Sequence, residues 1–277
     1  TKKKDIFRLG VKISMRLNLD RFISCRMTTP TPMYSSFNFQ EWKNGTKKIL
    51  GANHISAIVS FPSSESRKRF YAHLFDERGV NVAFAKVSRD STNDLFLGNE
   101  KRIIGTLNDE EFTFKVPKII SAGIYNNHQF ILYESMPKDS IVKNSNWEAY
   151  GEKISQELKK GTVVSKILSE TTWIEKFLKI LPAKSIKDYF EANDLKNDSV
   201  INVCFSHGDL HSGNIRYYKD EVWLFDWESG CEDAPMMTDE ISFYLGTIQR
   251  LFSRSPELVH QDIYEKFING KSDEFIR

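Results

Sequence analysis

Alternating apolar and polar positions divide the first half of the chain into short strands around one helix. Several runs of β-branched and aromatic residues are bounded by polar loops and turns, which is typical of strands. The strands predicted in this half are residues 55–61, 69–75, 80–87, 116–125 and 129–133. Between the third and fourth, apolar residues spaced at three and four predict a helix over residues 93–107.

The second half is dominated by helical periodicity. Two apolar stripes, over residues 147–158 and 173–181, are interpreted as the core-facing sides of two helices. Two β-branched and aromatic segments then flank a polar turn at residues 219–221, which predicts a β-hairpin. One further helix is predicted over residues 238–250.

These elements predict an α+β protein in two lobes. The predicted parts are an N-terminal extension over residues 1–45, a small antiparallel β-sheet lobe with one helix over residues 46–134, and a larger, mainly helical lobe over residues 135–277. A chain of 277 residues with 40% hydrophobic content can bury one large core or two modest ones.

Composition narrows the choice of partner and compartment. The formal net charge is +2, so the whole chain gives no reason to expect nucleic acid or an anionic membrane as a partner. The longest apolar runs are too short to span a bilayer, and the N-terminus does not have the pattern of a signal peptide. Three widely spaced cysteines indicate reduced thiols, so we expect a cytoplasmic protein.

Residues 205–214, Phe-Ser-His-Gly-Asp-Leu-His-Ser-Gly-Asn, carry the strongest chemical signal. A hairpin folds its two ends together, so Asn214 and Asp226 are expected to face one another at its open end, with Asp209 one short loop away. A carboxylate that can take a proton, beside an amide and a carboxylate that can share a hard cation, suits phosphoryl transfer from Mg-ATP.

The run His-Gly-Asp-Leu-His-x-Gly-Asn, followed by Asp-Trp-Glu, resembles the motifs of the aminoglycoside phosphotransferase and choline kinase family. The resemblance is specific over residues 205–245 and a matter of pattern elsewhere. It implies a bilobal, protein-kinase-like fold with ATP and Mg²⁺ as cofactors. It also implies that Asp209 is the catalytic base, that Asn214 and Asp226 bind Mg²⁺, and that the acceptor is a hydroxyl of a sugar, an amino alcohol or an aminoglycoside.

The same resemblance implies further nucleotide contacts. Lys86, near the end of the third strand, is expected to hold the α and β phosphates, and a carboxylate on the next helix should fix it. Glu100 is the preferred candidate for that carboxylate, and Asp94 is the alternative. By position, the phosphate loop and the adenine-binding hinge are expected at Ser63, Ser64, Glu134, Ser135 and Met136. The phosphate loop lacks the glycines that protein kinases have there.

Several neighbours of the motif are expected to support it. His207 and His211 are expected to brace the loop, and Glu228 to contribute a metal contact or a contact behind it. The family that the motifs resemble uses acidic residues in the following region to attract amino-bearing substrates, so the resemblance implies a cationic acceptor; the acidic residues here are Glu232, Asp233, Asp239 and Glu240. For the last two, a place at the start of a helix is an alternative explanation, because carboxylates favour the helix dipole there.

Three alternatives remain open at the level of sequence. His207-x-Asp209-x-His211 has a spacing that a zinc site could use, which would indicate a metallohydrolase. A protein kinase on the same scaffold is the second alternative. A non-catalytic nucleotide-binding pseudokinase is the third.

Overall fold

The computed structural model describes residues 37–62, 68–107, 112–137, 140, 147–175 and 198–252. The chain divides into two compact units. The first contains the described residues among 1–101 and 117–138, and the second contains those among 102–116 and 139–277. The predicted boundaries at residues 45 and 134 stay predictions. Among the described helices, none has the length and apolar character needed to cross a membrane.

The first unit is built on a five-stranded antiparallel sheet in the order β1-β2-β3-β6-β5. Its strands are β1 (Ser56–Ser60), β2 (Arg69–Phe75), β3 (Asn81–Ser88), β5 (Ile119–Tyr125) and β6 (His128–Glu134). The five predicted strands are therefore confirmed, with ends that shift by up to three residues. Helix α2 (Ser91–Leu107) is also confirmed; its residues from Arg102 onward are counted with the second unit.

Helix α1 (Phe39–Ile49) covers one face of this sheet and was not predicted. Asn38 caps it by accepting the Glu41 amide at 3.1 Å. Trp42 of α1 is buried with the alternate β3 residues Ala83, Ala85 and Val87. Because side chains alternate along a strand, the opposite face of β3 carries the remaining residues, among them the predicted phosphate-binding lysine.

Within the part of the second unit that the structure describes, two long helices accompany two three-stranded sheets. The helices are α3 (Trp147–Lys159) and α4 (Thr238–Phe252), and the strands are β4 (Phe114–Lys115), β7 (Val164–Ile167), β8 (Val200–Ser206), β9 (Ile215–Tyr218), β10 (Glu221–Leu224) and β11 (Cys231–Pro235). One sheet has the order β4-β10-β9 and the other β11-β8-β7. The predicted hairpin is confirmed as β9 and β10, whereas β4, β7, β8 and β11 were not predicted.

Helices α3 and α4 approach closely at Gly151. A Cβ atom at this position would lie 2.2 Å from Cδ1 of Phe243, a buried ring on α4. Only glycine therefore fits here without displacing the ring.

We expect Gly151→Ala to lower the free energy of unfolding by about 1–3 kcal/mol, because the new methyl group overpacks the interface between the helices. The matched control is Gly45→Ala in α1, where a Cβ meets nothing within 4 Å. That change should raise the free energy of unfolding by about 0.5–1 kcal/mol through helix propensity. Urea denaturation measures both, and equal effects of the two substitutions would contradict the close approach.

Candidate active site

In the first unit, Lys86 forms a buried ion pair with Glu100 of α2. The Lys86 Nζ lies 2.7 Å from Oε1 and 2.8 Å from Oε2 of Glu100. The two side chains are only 6% and 2% exposed. The Tyr133 ring lies 5.9 Å from the same ammonium group. The lysine is thus held in one place, as the sequence predicted for a phosphate-binding residue, although that role itself stays a prediction.

Asp94, the alternative partner for Lys86, binds elsewhere. Its Oδ1 atom accepts two hydrogen bonds. One comes from the Ser88 hydroxyl, and the other, at 3.2 Å, comes from the backbone amide of Gln129. The alternative is therefore wrong, because Asp94 lies about one and two-thirds helical turns before Glu100 and its carboxylate binds Ser88 at the end of β3.

The predicted hinge follows β6 directly. The Glu134 amide donates to the Lys118 carbonyl at 2.9 Å, and the Glu134 carboxylate accepts the Lys118 amide at 3.1 Å. Among the described residues, Ser135 and Met136 have no backbone hydrogen-bond partner. If adenine binds here, the amides of these two residues are the available ones. The predicted phosphate-loop residues, Ser63 and Ser64, lie outside the described residues.

In the second unit, the candidate catalytic loop begins where β8 ends and is held by Asp239 of α4. One Asp239 oxygen accepts the His207 amide at 2.7 Å. The other accepts the Gly208 amide and the Ser206 hydroxyl, both at 2.9 Å. Asp239 is 3% exposed, and its burial raises the pKa of the carboxyl to about 6. The predicted place of Asp239 at the start of a helix is confirmed, and its carboxylate ties that helix to the loop.

This raised pKa gives stability a defined pH dependence. Between the ordinary value of 3.8 and about 6, the folded protein keeps a proton on Asp239 that the unfolded chain releases. Raising the pH through this window therefore favours unfolding, and the free energy of unfolding should fall before it levels off above pH 6.

Urea denaturation from pH 4 to pH 7 measures this slope, and Asp239→Asn should remove Asp239's part of it. Asp233→Asn is the control. Burial alone would raise the pKa of Asp233, but hydrogen bonds from Thr172, Lys166 and Cys231 outweigh burial and hold the pKa well below its usual range. Its pH dependence therefore lies below the window, and a slope lost equally in both variants would contradict the assignment.

Gly208 gives the loop its turn. Its φ is 77°, and a Cβ atom there would lie 2.3 Å from the Ser229 carbonyl oxygen, so both conformation and space require glycine. The neighbouring His207 is fully buried, and its Nδ1 accepts the Asp209 amide at 3.3 Å. The proton of the neutral ring is then on Nε2, which donates to the Phe225 carbonyl at 3.1 Å.

Both ring nitrogens of His207 bind backbone groups, and these contacts bear on the alternative of a zinc site; the bracing role of His207 stays a prediction. A metal ligand needs a ring nitrogen with a free lone pair, whereas both nitrogens of His207 are used within the protein. His211 accepts the Gly213 amide through Nδ1 at 2.9 Å, and its Nε2 lies 3.8 Å from Oδ2 of Asp209. The contacts of His207 disfavour a metallohydrolase.

At the open end of the β9–β10 hairpin, Asn214 is hydrogen-bonded to Phe225, the residue before Asp226. Ile215 pairs with Leu224, and beyond that pair the Phe225 amide donates to the Asn214 carbonyl at 3.2 Å. Asn214 is buried, and its Nδ2 donates to the Asp209 carbonyl at 2.9 Å. The hairpin thus brings together the three residues that the sequence grouped. Their chemical roles stay predictions.

Asp226 has an uncommon backbone conformation. Its φ of 72° and ψ of 54° are left-handed, which is rare for residues other than glycine, asparagine and aspartate. The residues after it form a 3₁₀ turn, Trp227–Ser229. Trp227 is fully buried against the His207 ring at 4.4 Å, and Glu228 is also buried. This packing fixes the end of the hairpin against the candidate catalytic loop.

The acidic residues after the motif are used inside the second unit. Glu232 pairs with Arg102, Glu240 pairs with Lys159, and Asp239 holds the loop amides. Asp233 binds Thr172, Lys166 and Cys231. Each of these four carboxylates has a partner within the second unit, and the cationic acceptor stays a prediction.

Sequence reasoning missed two residues that stabilise this region. Ser206, at the end of β8, links Asp239 and the Gly208 amide through its hydroxyl. Arg216 donates to the carbonyls of Gly213 and Ile215 at 2.8 and 3.1 Å, and its guanidinium lies 5.1 Å from the Phe225 ring centre. A serine before His-Gly-Asp and a basic residue two positions after the Asn were the available signals.

Comparison with known proteins gives a fold match but no sequence match. No protein-family model matches the chain, and no curated protein matches it. Amicoumacin kinase, solved in complex with AMP-PNP, Ca²⁺ and Ami, is 17% identical with a TM-score of 0.51. The alignment covers 87% of this chain and 79% of that chain.

Two further solved structures match at lower TM-scores. An aminoglycoside phosphotransferase from Streptomyces rimosus is 14% identical over 84% of this chain and 91% of its own, with a TM-score of 0.48. Spectinomycin phosphotransferase, in complex with ADP and spectinomycin, is 16% identical over 82% of this chain and 79% of its own, with a TM-score of 0.46. The similarity to amicoumacin kinase, together with the order of the strands and helices, establishes that the chain has the α+β, protein-kinase-like fold that its motifs implied.

Proposed function

We propose that this protein is a small-molecule kinase of the aminoglycoside phosphotransferase and choline kinase type. It would transfer a phosphoryl group from ATP to a hydroxyl of a sugar, an amino alcohol or an aminoglycoside. The observation that carries the proposal is the arrangement at the hairpin end, where Asn214 binds the backbone of Phe225, next to Asp226, and its side-chain amide binds the Asp209 carbonyl. Phosphoryl transfer needs this combination of a base and an oxygen-rich cation site.

The residues at the hairpin end fit a magnesium ion. Carboxylate and amide oxygens are the ligands that hard cations prefer, and Asp226 and Asn214 supply one of each. Glu228, buried one residue beyond Trp227, would support the metal site from behind. When bound, Mg²⁺ would neutralise the charge of the phosphates.

Lys86 would hold the phosphates of the nucleotide from the first unit. Its ion pair with Glu100 removes the freedom of a long side chain, so little entropy is lost when a phosphate binds. The same face of the sheet carries aromatic rings: Phe84 stacks on Tyr71 at 5.7 Å and on Tyr133 at 6.3 Å. Phe84 and Tyr71 are half-buried, whereas Tyr133 is buried, and a partly exposed ring beside Lys86 suits the flat face of a nucleobase. We also propose a cytoplasmic location, because the proposed phosphoryl donor is ATP.

Asp209 would position the acceptor hydroxyl and accept its proton. Its side chain is 37% exposed, so an acceptor can reach it, while its backbone is held by His207 and Asn214. A carboxylate of ordinary acidity is sufficient, because the hydroxyl becomes acidic only as its bond to phosphorus forms. The hydrogen bonds of the loop thus fix the Asp209 backbone, while the Asp209 carboxylate stays accessible to an acceptor.

Thermal unfolding with ATP, with and without Mg²⁺, tests the nucleotide site. A ligand that binds only the folded state raises Tm by mass action. We expect a rise with millimolar Mg-ATP that is smaller without the metal. A panel of sugars, amino alcohols and aminoglycosides, with ADP release as the readout, then tests transfer. No shift with either ATP or GTP would contradict the proposal, and a shift without turnover of any acceptor would favour the pseudokinase.

A further inference from the structure

Two side-chain contacts join β3 to α2. The first is the ion pair between Lys86 and Glu100. The second lies two residues further along β3, where the Ser88 hydroxyl donates to the Asp94 carboxylate. Ser88 is fully buried, so this second contact lies inside the first unit.

The second contact also includes β6. The Gln129 amide donates to both the Ser88 hydroxyl and the Asp94 carboxylate, each at 3.2 Å. The His128 ring lies 3.0 Å from the Ser88 carbonyl through Nδ1. Asp94 is therefore bound to two strands at once. A connected network of this kind in a buried setting is more rigid than its separate bonds.

The spacing of the two contacts matters for the orientation of α2. From Asp94 to Glu100 the helix rises about 9 Å, and from Ser88 to Lys86 the strand extends about 6.6 Å. The contacts thus lie well apart along both elements. A helix attached at one point can pivot, whereas two points separated along its axis fix its tilt. Six residues at 3.6 per turn also place Asp94 and Glu100 about 120° apart around the helix, so the two contacts together fix its rotation about its own axis.

Helix capping does not explain Asp94. The start of α2 is already capped by Asp90, whose Oδ1 accepts the Asn93 amide at 2.8 Å and the Asn93 side chain at 2.7 Å. Asp94 lies one turn further on, and its bonds leave the helix. The Asp90 carboxylate therefore caps α2, whereas the Asp94 carboxylate links α2 to the sheet. Asp90 can thus serve as a control for Asp94.

We propose that Asp94 is a positioning residue for Lys86. By binding Ser88 and the Gln129 amide, it sets the rotation of α2 at which Glu100 meets the Lys86 ammonium. Asp94 acts through the helix and touches no ligand in this role. The consequence for nucleotide binding rests on the proposed function, whereas the effect on Lys86 does not.

The test is the rate at which an amine-reactive acetylating ester modifies Lys86, followed by mass spectrometry without nucleotide and well below Tm. A buried, paired lysine reacts slowly, and the exposed Lys101 in the same helix serves as the internal reference. We expect Asp94→Ala, and the milder Ser88→Ala, to speed Lys86 modification about fivefold, as expected for easier local opening. Glu100→Gln is the positive control.

Two matched variants separate positioning from general loss of stability. Asp94→Asn keeps an acceptor oxygen and should restore the slow rate. Asp90→Ala removes the cap from the same helix and should leave the Lys86 rate unchanged. An unchanged rate in both Asp94→Ala and Ser88→Ala, or an equal increase in Asp90→Ala, would overturn the inference.

The outcome is also distinguishable from that of the proposed function. A wild-type protein without a Mg-ATP shift, but with faster Lys86 modification in Asp94→Ala, would refute the kinase and leave the positioning role intact. If the wild-type protein shows the Mg-ATP shift, but Lys86 is modified at the wild-type rate in Asp94→Ala and Ser88→Ala, only the positioning role is refuted.

Discussion

Asp209→Asn should reduce phosphoryl transfer by about 10²–10⁴-fold, the usual contribution of a general base. The substitution keeps the shape of the side chain and removes its ability to take a proton. The loop should keep its conformation, because its backbone is held by His207, Asn214 and Asp239 rather than by the Asp209 carboxylate. Tm and the Mg-ATP shift should therefore stay close to the wild-type values.

Steady-state ADP release with the best acceptor measures this effect, and thermal unfolding checks that the nucleotide still binds. Asp220→Asn is the matched control, since it makes the same change in the exposed turn at the other end of the β9–β10 hairpin. Near-normal turnover in Asp209→Asn would refute the assignment of the base, and a collapse of Tm would show that the carboxylate has a structural role instead.

Asp226→Asn should abolish the Mg²⁺-dependent part of the Mg-ATP shift. Removing the charge would weaken the hold of Asp226 on a divalent cation, and Mg-ATP would then bind less tightly than to the wild-type protein. Asparagine is the appropriate replacement because Asp226 has a left-handed backbone, which asparagine tolerates and alanine does not.

The control for Asp226 compares three substitutions without ligand. Asp226→Asn and Asp226→Gly should keep the wild-type free energy of unfolding, whereas Asp226→Ala should lose about 1 kcal/mol to backbone strain. A Mg²⁺-dependent shift that survives in both Asp226→Asn and Asp226→Gly would exclude Asp226 as a metal ligand. A loss confined to Asp226→Ala would mean that only the backbone matters.

The site could be predicted where it depends on contacts close in sequence. The β9–β10 hairpin is encoded by two β-branched segments around Lys219-Asp220, so the meeting of Asn214 and Asp226 followed from local pattern. The pair between Lys86 and Glu100 followed from the order of strand and helix. The partners of the acidic residues after the motif could not be predicted in this way. Arg102, which binds Glu232, lies 130 residues away in sequence, and no local pattern indicates such a pairing.

The fold of the first unit could also be predicted because most of its strands pair with near neighbours in sequence. The fold of the second unit was harder to predict. Strands β2 and β3 are bounded by a polar loop and a tight turn, which fixes their ends. Strand β4 has only two residues, and its partner β10 lies more than a hundred residues away in sequence. Helix α1 was not predicted because Gly45 lowers its helix propensity. Burial of Trp42 against the sheet stabilises the helix in the folded protein.

The dependence of the candidate catalytic loop on Asp239 has a consequence for biosynthesis. The carboxylate that orders the loop lies 32 residues after His207 in sequence. During translation the chain emerges from its N-terminus, so the whole His-Gly-Asp motif leaves the ribosome before the residue that shapes it. A nascent chain that has not reached α4 carries every residue of the motif but not its backbone geometry, and we expect activity to begin only once Asp239 has emerged.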